Sequence, residues 1–417
     1  MSPILLLSLL GCKPVSLPVG DSTDWSPNTD DSPEVVSGSD DSQPPDDSDE
    51  PEEPGDETIF TLDQVHTIEI EMPGEAWRSL DDDPYTFVQA DLTFDGQLLP
   101  AVGLRIKGRL GSYRELSQKS AFKVDFNMYT PEQELRGLSQ INLNNIVQDH
   151  SYVHDTTAYE IYRAVGIPAP RVGYAWVRVN DRDFGLYALV EEYDHDFLKR
   201  WFDDPSGTFY DGDYHMFPDG SYVRVDFLDS SQQYYEQDGG EDVDMADIQA
   251  VTAAVGATYG SDRFYGQVGQ VFNLDQFARY AAAELWMGQY DGYVLGANNY
   301  RVYFDPADGR GVMMPWDHDW SFYTSTPETS FYGVLMSGCW YDPVCQERFL
   351  DAIETMCSEL DTDAVQLDID RATELVQPYL ADDSRGETSL NDVAWYQADL
   401  RRWVNERCGE MESIFGL

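Results

Sequence analysis

The sequence predicts an α+β fold in which a strand-rich N-terminal part gives way to a mixed and then helical C-terminal part. Three observations predict it. Apolar and polar residues alternate with period two repeatedly between residues 65 and 126, helical periodicity dominates from about residue 246 onward apart from one strand pair, and residues 13–57 are mostly Asp, Ser, Pro, Glu and Thr and can build no core. Hydrophobic residues make up 42% and aromatics 13% of the chain, so most of the remainder must fold.

The first strand is Val65 to Ile70, followed by a short helix over Glu75 to Leu80. Val88 to Phe94 and Leu98 to Lys107 read as a hairpin turned by Asp95-Gly96, and Ala121 to Phe126 as a further strand with Phe122, Val124 and Phe126 on one face. A helix spans Tyr152 to Val165, closed by Gly166, Pro168 and Pro170. A second hairpin joins Ala175–Val179 to Gly185–Val190 through Asn180 to Asp183, and Phe197 to Trp201 is helical. Helices follow at Ala246–Tyr259 and Leu274–Gln289, the latter with Asn273 as its N-cap. Tyr300–Phe304 and Val312–Pro315 return to strands, and the tail from Asp342 is mainly helical.

At the N-terminus an apolar run, Ile4 to Leu10, precedes Gly11-Cys12 and resembles a bacterial lipobox. Residues 1–12 are therefore expected to be a lipoprotein signal segment with Cys12 lipidated, 13–57 a disordered acidic tether, and 58–417 the folded domain. The run falls short of the ~20 residues that span a bilayer. Membrane contact is expected through the lipid alone, with the domain outside the cytoplasm. Setting Cys12 aside leaves Cys339, Cys345, Cys357 and Cys408 within residues 330–417, enough for two disulfides in an oxidising compartment. Cys339–Cys345 with Cys357–Cys408 is the favoured pairing, although spacing alone does not fix connectivity. The net charge of −51, from 77 acids against 26 Lys and Arg, repels phosphate backbones and excludes nucleic acid as a partner.

The chemistry concentrates in Asp291-Gly292, Asn298-Asn299-Tyr300 and Pro315-Trp316-Asp317-His318-Asp319. Acids at the ends of apolar elements are costly to bury without cations or strong donors. Oxygen ligands on two nearby segments suit Mg²⁺ bound to a nucleotide, and phosphoryl transfer needs a carboxylate to orient the attacking hydroxyl. An Asp, an Asn several residues later, a strand pair and another Asp repeat the order of a protein kinase catalytic loop and metal-binding Asp, although HRD, DFG and GxGxxG motifs are absent. Asp211-Gly212-Asp213 and residues 238–244 are weaker candidates for Ca²⁺.

Taken with Arg105-Ile106-Lys107-Gly108, Lys119 to Phe126, Asn142 to Asn145 with Asp149, and Gly185-Leu186-Tyr187 with Glu191, these segments resemble the successive motifs of the CotH (spore coat protein H) family over residues 65–325. The resemblance implies a divergent protein-kinase-like fold with a β-rich N-terminal lobe and a mixed, helical C-terminal lobe. It also implies an atypical kinase that uses ATP with Mg²⁺ or Mn²⁺ to phosphorylate Ser, with Thr or Tyr as further acceptors, on a secreted or cell-surface protein. On that resemblance Asp291 is the catalytic-loop acid, and Asn299, Asp317 and Asp319 hold or support the metal. Lys119 or Lys123 contacts the phosphates with Glu191 positioning the lysine, and Arg105 and Lys107 join the nucleotide site. Where the family often has Arg-Gly-Asn-Ser, this chain has Lys107-Gly108-Arg109-Leu110. The alternative is a non-catalytic surface adhesin or calcium-binding matrix lipoprotein on the same fold.

Overall fold

Period-two alternation gives each N-terminal strand one dry face, and the dry faces close on one another. In the computed structural model, which describes residues 55–241, 244–323 and 331–417, the chain runs β1 (Val65–Glu71), α1 (Gly74–Asp82), β2 (Val88–Phe94), β3 (Gln97–Lys107), β4 (Ala121–Asp125), β5 (Gln140–Asn144), α2 (His154–Ala164), β6 (Val172–Val179) and β7 (Arg182–Glu191). Cys12 and the acidic tether up to residue 54 lie outside the described residues. The seven strands form a closed barrel in the order β1-β2-β3-β4-β5-β7-β6. It is sealed by the parallel pair β1 and β6, with Val65 opposite Tyr174 and Ile70 opposite Val179. Ile68, Phe94, Leu104, Phe122, Leu143 and Leu189 are among the side chains that fill it.

Among the elements that differ from the sequence expectation, three bear on the cavity and its walls. The second hairpin turns at Asn180-Asp181, with φ of 48° and 59°, so β7 begins at Arg182 rather than Gly185. Asn and Asp tolerate the left-handed region, and a two-residue turn with both φ positive matches the strand twist. Strand β5 was not expected, since three of its five residues are polar. Ile141 and Leu143 nevertheless fill the barrel, which overrides the low strand propensity of Asn. Its asparagines bond other segments rather than their own turn. A strand over Thr208–Asp211 was also unforeseen.

Beyond the barrel come α3 (His195–Trp201), β8 (Thr208–Asp211), β9 (His215–Met216), β10 (Tyr222–Val223), β11 (Glu236–Gly239), α4 (Ala246–Thr258), α5 (Phe264–Val268), α6 (Leu274–Met287), α7 (Tyr293–Gly296), β12 (Tyr300–Asp305), β13 (Arg310–Pro315) and the helices α8 (Val334–Tyr341), α9 (Pro343–Glu359), α10 (Thr362–Leu380) and α11 (Leu390–Phe415). Strands β11-β8-β12-β13 form an antiparallel sheet. The fold is mixed α+β, as expected. The hairpin β6–β7 joins its two parts because it buries both faces: Val177, Tyr187 and Leu189 face the barrel core, while Tyr174, Leu186, Ala188 and Val190 belong to the helical core.

The C-terminal helices are stapled. Disulfides join Cys339 to Cys345, from α8 to α9, and Cys357 to Cys408, from α9 to α11. Arg407, buried in α11, donates to the carbonyls of Leu285 (2.6 Å) and Trp286 (2.8 Å), which caps the C-terminal end of α6 where the helix dipole favours a cation. Because Cys357 and Cys408 are 51 residues apart, their bond restricts the unfolded chain substantially. Replacing both with Ser is expected to lower unfolding stability by about 2–4 kcal/mol in a denaturant titration.

Candidate functional site

Antiparallel pairing brings distant residues together at the open end of a hairpin. Strands β12 and β13 pair Tyr300 with Pro315, and their turn lies at Asp305–Gly309. The opposite end therefore sets Asn299 beside Trp316, whose N–H donates to the Asn299 carbonyl at 3.0 Å, with Asp317 next. Asn299 and Asp317 both have left-handed backbones, φ 52° and 51°, a conformation uncommon for non-glycine residues that concentrates at functional sites. The loop before β12 is tied to α6 by Glu284, whose carboxylate accepts from the N–H groups of Tyr293 (3.1 Å) and Val294 (2.6 Å). That places Asp291, whose Oδ2 accepts from the side-chain amides of Asn298 (3.0 Å) and Asn299 (3.3 Å).

The barrel supplies the facing wall. Phe122 and Val124 point into its core, so Lys123 between them points out. In β7, Tyr187 and Leu189 point inward, so Glu191 continues that parity and Glu192 falls on the side of Lys123. Lys123 Nζ lies 2.9 Å from Glu192 Oε2, which also accepts from Asn142 of β5 at 2.9 Å. Burial opposes ionisation of Glu192, yet Lys123 and Asn142 outweigh it and hold the carboxyl down at about 2. Lys107, at the end of β3, donates to Asn144 Oδ1 at 2.7 Å, and its ammonium sits 4.8 Å from the Trp316 ring centre. Burial lowers the Lys107 ammonium to about 8, against the nearby charge of Asp317.

Barrel wall and hairpin end enclose a cavity of about 1000 Å³, lined among others by Arg105, Lys107, Lys123, Glu192, Asp291, Asn299, Arg301, Asp317 and Asp319. Burial raises the carboxyls of Asp291, Asp317 and Asp319 above their ordinary value, and the charge of Asp317 raises Asp319 further. Behind them Asp155 of α2 accepts from the His318 N–H (3.1 Å) and from Asn144 (3.2 Å), and burial together with Asp317 raises it to about 7. Carboxylates crowded this way call for a cation. The set fits a hard divalent ion: two carboxylates, the Asn299 amide, and the Asn298 Oδ1 atom, buried without a partner. Among the described residues no three His, Cys, Asp or Glu side chains group as a ready-made metal cage.

A family model described as CotH kinase protein matches residues 104–411, which contain every residue of this cavity wall named above. The chain belongs to that CotH family. The inner spore coat protein H of Bacillus subtilis (strain 168) is 24% identical over 213 residues, half of this chain and 56% of that protein, so the match spans little more than half the relative's length. Among solved structures, HipA of Shewanella oneidensis MR-1, in a complex with HipB and operator DNA, aligns over 86% of this chain and 76% of its own at 12% identity and a TM-score of 0.37. The Helicobacter pylori proinflammatory kinase CtkA aligns over 78% and 92% at 10% identity and a TM-score of 0.34.

Of the residues expected at the site of this CotH domain, the cavity brings together Asp291, Asn299, Asp317, Asp319, Lys123, Arg105 and Lys107. Lys119 and Glu191 lie elsewhere. Lys119 is buried ahead of β4 and paired with Asp383 at 2.5 Å, and Glu191 is engaged by Arg171 (2.8 Å) and Arg200 (2.5 Å). Strand parity decides the second case: Glu192, one residue on, is the acid that reaches the lysine. Asp211 and Asp213, weighed for Ca²⁺, are instead paired with Arg301 and Arg109 at the cavity rim. Sequence reasoning also missed Asp155, Asn144 as the partner of Lys107, and Arg301, which stacks 5.0 Å from the Trp316 ring. The asparagines of residues 142–145 are already among the motif residues, and the apolar spacing of Ile141 and Leu143 is the signal that they lie on a strand.

Two outcomes follow from these pairings. Replacing Lys119 with Met leaves the Asp383 carboxylate buried and unpaired, so unfolding stability is expected to fall by about 3–5 kcal/mol, and the double change with Asp383→Leu to recover part of it in urea titrations. Because the Glu192 carboxyl is depressed from 4.5 to about 2, its contribution is fully present above about pH 4.5 and lost as pH falls through 2. The stability gap between the parent and Glu192→Gln should therefore close over that window in unfolding curves taken between pH 2 and 6.

Proposed function

We propose that this CotH domain is an atypical protein kinase of two-lobed, kinase-like fold that transfers the γ-phosphoryl of ATP to a Ser hydroxyl of a secreted or cell-surface protein. In this reading Cys12 carries the lipid that tethers it outside the cytoplasm. The observation that carries the proposal is the convergence of Asp291, Asn299, Asp317 and Asp319 with the Lys123–Glu192 pair on one cavity. Membership of a family described as kinase proteins supports the use of ATP and a divalent cation.

Each group has a definite task. Asp291, held by two side-chain amides, accepts the hydrogen bond of the incoming hydroxyl and aims its oxygen at the phosphorus. Lys123, fixed by Glu192, and Lys107, fixed by Asn144, contact the phosphates, and Arg105 lines the same wall. Asn299, Asp317 and Asp319 would hold Mg²⁺ or Mn²⁺, which when bound offsets the charge of the phosphoryl oxygens. The two disulfides accord with an oxidising compartment, and the relative named as a spore coat protein accords with a surface location. No described helix is long and apolar enough to cross a membrane. A non-catalytic adhesin would require no such convergence, and the acids it would offer to calcium at Asp211 and Asp213 already have arginine partners.

Incubating the full chain with γ-labelled ATP, Mg²⁺ or Mn²⁺ and a Ser-rich protein should transfer label. Asp291→Asn and Asp317→Ala should each lower the rate by about 10²–10⁴-fold while the protein stays folded. Failure to transfer label with either metal would favour the adhesin, and transfer from α-labelled ATP would mean that AMP moves instead.

A further inference from the structure

The cavity is roofed on its barrel side by residues 108–113, and the backbone bonds of that loop are unusual in where they lead. Arg114 donates to the carbonyls of Gly111 and Tyr113, both at 2.8 Å. Buried Asn145 donates to the intervening Ser112 carbonyl at 3.0 Å. Three consecutive carbonyls are thus occupied, while the N–H groups of Gly111 and Ser112 have no acceptor among the described residues. Gly111 is left-handed, φ 91°, and packs so closely on the Gln148 side chain that a β-carbon would come within 2.7 Å of it. A loop with fixed carbonyls and unengaged amides is suited to face an anion.

What fixes Arg114 comes from more than 270 residues away. Its guanidinium makes a bidentate pair with Glu387, Nε to Oε1 at 2.5 Å and Nη2 to Oε2 at 2.7 Å, on the segment that joins α10 to α11. The same segment grips the stem of the loop through Arg385, which donates to the carbonyls of Leu116 (3.3 Å) and Gln118, and through Asp383, the partner of Lys119. It also bonds His150, just after β5, through Thr388 at 2.9 Å. None of Asp383, Arg385 and Glu387 lines the cavity. A bidentate arginine pair fixes orientation more strictly than a point charge would, and half-exposed pairs of this kind contribute little to folding.

We infer that Glu387 is a positioning residue for nucleotide binding, acting from the α10–α11 segment through Arg114 to hold the 108–113 loop in the conformation that receives phosphate. The inference rests on the kinase reading. It assigns the C-terminal helical tail a direct part in shaping the nucleotide cavity, because the strap crosses from that tail to the barrel.

The test is equilibrium binding of a non-hydrolysable ATP analogue with Mg²⁺ to the full chain, beside thermal unfolding. Glu387→Gln and Arg114→Gln should each weaken binding by about five- to tenfold with melting temperature nearly unchanged, and the double variant should be no weaker than either single. Asp370→Asn, which breaks the comparably exposed Arg401–Asp370 pair between α10 and α11, serves as the control and should bind like the parent. If the parent binds and both single variants bind within twofold of it, the strap inference is overturned and the kinase reading stands. Additive losses in the double variant would also overturn it, since the two side chains would then act separately. A parent without nucleotide affinity would overturn both.

Discussion

Three carboxyls, Asp291, Asp317 and Asp319, line one end of the cavity with a fourth, Asp155, behind them, and burial opposes the ionisation of every one. Isolated, such groups would be expensive to keep charged. The surroundings answer with strong donors: the Asn298 and Asn299 amides on Asp291, the His318 N–H and Asn144 on Asp155, and the cations of Lys107 and Arg301 stacked on Trp316. The remaining demand is for positive charge, which a divalent cation would supply. Left-handed backbones at Asn299 and Asp317 are a further cost at the same place, tolerated because both flank the rigid hairpin β12–β13.

That concentration of charge depends on a scaffold that holds the barrel against the helical part. The β6–β7 hairpin is the shared wall, with one face in each core, and it delivers Glu192 to Lys123 at its end. Helix α6 supplies the floor: Glu284 pins the loop carrying Asp291, and the helix is itself capped by Arg407 of α11. Arg407 connects the C-terminal tail to α6 and the α10–α11 segment connects it to the barrel, so a tail distant in sequence bears on the geometry of the cavity.

Much of this was legible in the chain itself. Period-two alternation identified β1 and β2, which have one wet face, while the Asp95-Gly96 turn and apolar runs beside turn residues identified β3, β4 and the β12–β13 hairpin, the last buried on both faces. The clustering of Asp291, Asn299, Asp317 and Asp319 followed from motif order. The polar strand β5 was not legible, since its asparagines have low strand propensity and are held by partners across the sheet, and β8, although it carries Thr208, Phe209 and Tyr210, is only four residues long. Lys119 and Lys123 could not be separated by pattern either. One lies between Gln118 and Ser120 and the other between Phe122 and Val124, and only the assembled fold decides that the first meets Asp383, 264 residues away, while the second meets Glu192.

By itself the sequence determined the α+β class, the family and the cluster of acids, because each rests on local composition, spacing or motif order. Tertiary structure alone decided which lysine faces the cavity, which of two adjacent glutamates reaches it, and that Glu387 holds the loop above it. Those outcomes depend on strand parity and on contacts between segments hundreds of residues apart, and neither is encoded in any single stretch of chain.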